Sequence, residues 1–128
     1  MVYIDGFLAA PHNLDTREFV SMCECETNRA CDRMSAWGSV YGAGTVCSTG
    51  VLCLGGWRLT QNDRLMEFAR AVGNTYLDEK FPADRVKKEE FKIPASDIGL
   101  TLELFADLYD ITGEPTWLEG GVELTETA

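Results

Sequence analysis

The sequence predicts an all-α protein built from repeated antiparallel αα-hairpins. Three observations carry that expectation. The second half of the chain repeats itself at an offset of 52 residues, aligning Trp57 with Tyr109, Leu59 with Ile111, Thr60 with Thr112, Met66 with Leu118 and Glu67 with Glu119. A self-match at a period near 50 marks stacked supersecondary units, none of which buries its apolar face alone. Apolar residues recur at helical spacing, most clearly as Leu65, Phe68, Ala69, Val72 and Tyr76. The apolar/polar alternation of a strand is found nowhere except over Met1–Ile4.

With 128 residues and 45% hydrophobic content, the chain has the size and composition of one globular domain. Its formal net charge of −10 opposes nonspecific binding to nucleic acid and to anionic membrane, which carry the same sign. No apolar run reaches the roughly 18–20 residues that span a bilayer. Met1–Asp5 lacks the basic and apolar regions of a secretory signal. Cys23, Cys25, Cys31, Cys47 and Cys53 form an odd set, so reduced thiols in a cytoplasm are the expectation.

Residues 1–44 read as an N-terminal segment of helix and loop. Gly6 and Pro11-His12-Asn13 make residues 1–14 irregular. Asp15 or Thr16 caps a helix from Arg17 to about Met34, and the glycines of residues 35–48 predict a loop. Residues 45–80 hold the first hairpin. Its inner helix, 49–60, is apolar nearly all round and is expected to be buried; its outer helix, 63–78, is amphipathic and capped by Asn62. A charged connection over 79–95 leads to the second hairpin, 96–128. There Ser96 or Asp97 caps an inner helix over 98–111. Gly113 ends that helix in the left-handed conformation, and Pro115 opens the outer helix with its φ already set.

The phrase Leu104-Phe-Ala-Asp-Leu-Tyr-Asp-Ile-Thr-Gly-Glu-Pro-Thr-Trp-Leu-Glu119 resembles the hairpin turn of the six-hairpin glycosidase-like (α/α) toroids. In that family an inner helix ends in an aromatic residue, a Thr-Gly-acidic turn follows, and Tyr/Trp-Leu-Glu opens the outer helix. Residues 52–78 look like a second copy. The resemblance covers residues 45–128 and implies a partial (α/α) toroid, since a closed one has about six hairpins and this chain carries two. It also implies a carbohydrate-active module of the glycoside hydrolase or polysaccharide lyase type, with an oligo- or polysaccharide as partner. Two hairpins wall a sugar cleft incompletely, so the implied enzyme is a homo-oligomer or a piece of a longer chain.

In such toroids the sugar site lies at the rim of loops leading into the inner helices, here 32–48 and 84–97. Asp32, Arg33, Trp37 and Tyr41 supply a carboxylate, a cation and two flat apolar faces. Trp37, Tyr41 and Arg33 are therefore the candidate substrate-binding residues. The same side chains also suit plain packing of the loop and a solvated surface. Glycoside hydrolysis needs two carboxylates about 5–9 Å apart, one with a raised pKa. Asp32 and Glu26 are the leading pair, with Glu24 and Asp97 as further acids; Asp97 suits a helix cap equally well. His12 is the sole histidine and a candidate base near neutral pH, set in a turn where an exposed imidazole without a role is commoner. The cysteine spacing lacks the Cys-x2-Cys of structural zinc, so no metal and no cofactor is expected. The rival reading is a noncatalytic helical-repeat scaffold that binds a protein or a glycan, and a third is a truncated remnant that still folds. A scaffold predicts an exposed apolar groove without a perturbed acid.

Overall fold

The computed structural model describes residues 2–10, 43–77 and 95–127. Those residues form five helices and no strand: α1 (Val2–Ala9), α2 (Ala43–Thr60), α3 (Asp63–Leu77), α4 (Ala95–Thr112) and α5 (Pro115–Thr127).

Two two-residue turns organise the chain, and they are made from the same bonds. At the end of α2, Gln61 N donates to Trp57 O at 2.8 Å; at the end of α4, Gly113 N donates to Tyr109 O at 2.8 Å. Both residues sit in the left-handed region, with φ of 56° at Gln61 and 67° at Gly113. Thr60 Oγ1 donates back to Gly56 O, and Thr112 Oγ1 to Leu108 O, each at 2.7 Å. Each threonine hydroxyl then accepts from the backbone two residues on, from Asn62 N at 3.3 Å and from Glu114 N at 3.2 Å. These bonds satisfy carbonyls and amides that a helix end leaves orphaned. Asn62 also caps α3, accepting from Arg64 N at 3.1 Å, as its position predicts. Pro115 takes the first position of α5, where its missing N–H costs nothing.

The helices lie in two layers. α2 and α4 run parallel and in register: Gly44 lies against Asp97, Cys47 Sγ is 3.3 Å from Thr101 Oγ1, Gly50 lies against Leu104, and Arg58 reaches Asp110. α3 and α5 also run parallel, with Arg70 on Glu114, Gly73 on Trp117 and Leu77 on Gly120. The core between the layers is Leu54, Phe68, Val72, Leu104, Phe105, Leu108 and Trp117, all nearly solvent-free. At burial energies of about 1.5–3 kcal/mol per large apolar side chain, this seam dominates the cohesion of the two pairs. Gly73 is what lets it close. A Cβ there would fall 2.7 Å from both Leu108 Cδ1 and Trp117 Cζ3, so a side chain at 73 displaces the second pair.

Four expectations need correction. Residues 2–9 are helical, neither irregular nor a strand. Ile4, Phe7 and Leu8, at i, i+3 and i+4, give α1 an apolar face that packs on the first pair, with the Phe7 and Phe68 rings 5.4 Å apart. The glycine-rich stretch is helix from Ala43 onward. There small residues admit α4 at close range, and tertiary contact overrides their poor helix propensity. Asp97 does not cap α4, which starts at Ala95; it stands in the first turn, buried against Gly44. The inner helix is also not wholly buried, since Leu52 is 74% and Leu59 88% exposed. α2 packs on α3 and α4, and the remaining side is only partly covered by α1. The expected helix from Arg17 to about Met34 lies outside the described residues, as does the 79–95 connection up to residue 94.

Candidate functional site

The residues read as catalytic from the sequence, Asp32, Glu26 and His12, lie outside the described residues, as do Trp37, Tyr41 and Arg33. Besides a smaller pocket of about 240 Å³ where α1 meets α2 and α3, the described residues form a groove of about 490 Å³ between α4 and α5. Its α4 wall is Leu102, Phe105, Ala106, Tyr109 and Asp110. Its α5 wall is Trp117, Leu118, Gly121, Val122 and Thr125. Helical spacing explains the set: 102, 105, 106 and 109 share one face of α4, and 117, 118, 121, 122 and 125 share one face of α5. Phe105 and Trp117, with centroids 6.0 Å apart, form the floor and are buried. The lips are exposed: Tyr109 is 39%, Leu118 51% and Val122 50% accessible.

Asp110 is the single carboxylate among the described residues that line the groove, and it is engaged by Arg58 at 3.3 Å. Arg58 also lies 3.6 Å from Asp107. At the turn end, Arg70 makes a two-pronged bond to Glu114, at 3.0 and 2.8 Å, and Trp117 Nε1 donates to the same carboxylate at 3.0 Å. The Arg70 hydrogen bonds hold the Glu114 carboxyl below its ordinary value, the Trp117 bond and the Arg70 charge add to this, and partial desolvation opposes it. A carboxyl shifted that way stays ionised at neutral pH and is the opposite of a general acid. Glu114 is a latch between the pairs.

The two described cysteines are equally unsuited to chemistry. Burial pushes the Cys47 thiol up to about 12, opposed by the Thr101 hydrogen bond and reinforced by the Asp97 charge. Burial alone pushes Cys53 up to about 12. The thiolate is the nucleophile, and neither sulfur supplies it near neutral pH. Among the described residues no three His, Cys, Asp or Glu side chains gather as a metal site. None of the described helices is long and apolar enough to cross a membrane.

Sequence reasoning missed the groove. In the sequence Leu118 and Val122, four apart on α5, stand with Trp117 and Leu124 simply as apolar positions of the second outer helix. The overlooked signal is that α5 carries two apolar directions, Trp117 with Leu124 inward and Leu118 with Val122 outward. No protein-family model, no curated protein and no solved structure matches this chain.

Proposed function

We propose that the chain is a noncatalytic helical-repeat scaffold, made of two αα-hairpins in the manner of a partial toroid, that docks a helix of a protein partner in the α4/α5 groove. One observation carries this reading. Beside Gly44 and Cys47, whose counterparts Ser96 and Gly99 lie off the groove, the first-pair positions that hold the second pair include Gly50, Arg58, Arg70 and Gly73, against Leu104, Asp107 with Asp110, Glu114, and Leu108 with Trp117. Advanced by the 52-residue period, they become Leu102, Asp110, Val122 and Thr125, and all four line the groove. The groove therefore corresponds to the surface that, one unit earlier, accepts a pair of helices. Stacked repeats bury each such face against the next unit. Helix-in-groove recognition uses the same geometry, with aliphatic anchors at i, i+3, i+4 and i+7.

The carbohydrate-active reading draws on the turn resemblance and on Asp32, Glu26, His12, Trp37, Tyr41 and Arg33. The groove gives it no support, because two carboxylates are needed and the described residues that line it supply one. The direct test is calorimetry with a designed amphipathic peptide of roughly 18 residues, the length of α4, carrying a leucine stripe and glutamine elsewhere. Saturable one-to-one binding that disappears in the Leu118→Gln/Val122→Gln double variant is expected. Cleavage of any member of an oligosaccharide panel by the purified protein would overturn the reading.

A further inference from the structure

We propose that the helix taken up by the α4/α5 groove is a basic one, with lysine or arginine flanking its aliphatic stripe; this rests on the scaffold reading above and specifies its partner. The two pairs carry opposite electrostatics. The first pair holds three arginines, Arg58, Arg64 and Arg70, against Asp63 and Glu67. Residues 95–127 hold eight acids and no lysine, arginine or histidine. The interface inside the molecule uses that contrast: Arg58 meets Asp107 and Asp110, and Arg70 meets Glu114. Across the seam, cations stand on the accepting face and anions on the incoming one.

At the groove the polarity is reversed. The period replaces Arg58 with Asp110 and Arg70 with Val122, so the accepting face has lost both cations. Its flanks are acidic as well. Glu103 adjoins Leu102 on α4, Glu119 adjoins Leu118 and Glu126 adjoins Thr125 on α5, and all three are exposed. Each stands one residue on from a groove-lining position, a turn of about 100° on the helix, so the three charges lie on the acidic outer surface that surrounds the groove. An acidic incoming helix, such as the second pair of another copy of this chain, would bring like charge to a surface whose residues 95–127 hold eight acids and no cation. Like charges juxtaposed at an interface select against a partner, while opposite charges raise the association rate and fix orientation. The apolar floor and lips supply the affinity, and the acidic surface around them chooses the sign.

The experiment titrates the full chain with three fluorescein-labelled peptides that share one leucine stripe and differ in flanking residue: lysine, glutamine or glutamate. The lysine peptide is expected to bind at least about tenfold more tightly than the glutamate peptide. That advantage should shrink as salt rises from about 0.05 M to about 0.5 M, where screening shortens to a few ångströms. The Glu103→Gln/Glu119→Gln/Glu126→Gln variant, changed only at exposed positions, should lose the lysine preference and keep the glutamine peptide. The Leu118→Gln/Val122→Gln variant should lose all three peptides while its circular dichroism melt stays intact. Equal binding of the three peptides would overturn the basic partner and leave the scaffold reading standing. Binding of none would overturn both. Lysine-peptide binding that survives Leu118→Gln/Val122→Gln would mean charge attraction without the groove and would overturn the proposal. So would a doubled mass in light scattering that this double variant abolishes, because the occupant would then be a second copy.

Discussion

The two helix pairs share a turn and differ in almost everything that faces outward. Gln61 and Gly113 adopt the same left-handed geometry, close the same backbone bond and follow a threonine making the same two contacts. Around that common turn the first pair has small residues where it receives its neighbour, Gly50 and Gly73, and arginines at the edges. The second pair has Leu102 and Thr125 at the corresponding places, and acids throughout. A turn answers to local geometry, so it tolerates little change. A face answers to whatever covers it, so it diverges with its partner. The first pair's face is glycine-bearing and basic because it holds a large, acidic neighbour. The second pair's face is half-exposed and aliphatic, and it stands on a strongly acidic helix pair.

That contrast is open to attack where the pairs meet. Trp117 is 1% exposed and fills the space that Gly73 leaves. Trp117→Ala should cost about 3–5 kcal/mol in urea unfolding, from lost transfer energy and the cavity left behind. A loss under about 1 kcal/mol would mean the pairs do not depend on this seam. The turns give a sharper, smaller test. Gly113→Ala puts a Cβ on a residue at φ 67° and should cost about 1 kcal/mol. Gln61→Gly removes the same conflict at φ 56° and should stabilise by less than about 1 kcal/mol, offset by loss of the Gln61 side-chain bond to Trp57 O. Two effects of the same sign would show that the turns are not under a common constraint.

The smallest effect concerns the latch between the pairs. The folded Glu114 carboxyl lies below its ordinary 4.5, so its stabilising contribution is fully present above that pH. The contribution is lost as pH falls through the lower folded value, because the unfolded chain then binds the proton first. Urea midpoints of the wild type and Glu114→Gln should therefore differ most at neutral pH and converge as acidification protonates the carboxyl in the folded protein. A gap that widens on acidification would show that Arg70 does not hold Glu114 as described.

Much of the local structure was legible in the residues. The 52-residue match, the Asn62 cap, Gly113 and Pro115 place two helix pairs and their turns, because these signals act within a few residues of themselves. Other elements were illegible for physical reasons. Ala43–Ser48 reads as loop by glycine content, and becomes helix because those small residues admit α4. Residues 2–9 are too short for a convincing period, and gain their helix by packing Phe7 on Phe68. Asp97 has the chemistry of a cap and sits instead in a buried first turn.

By itself, then, the sequence determined the helical class, the turn chemistry and the strong acidity of the second pair, since each depends on residue type and near-neighbour spacing. Tertiary structure alone decided which of the apolar faces would meet. Leu104 and Leu118 are the same residue type on neighbouring helices, yet one is sealed between the pairs and the other stands half in solvent. Burial is a property of what lies opposite, and the groove exists because α4 and α5 spend one apolar direction each on the core and keep a second facing outward.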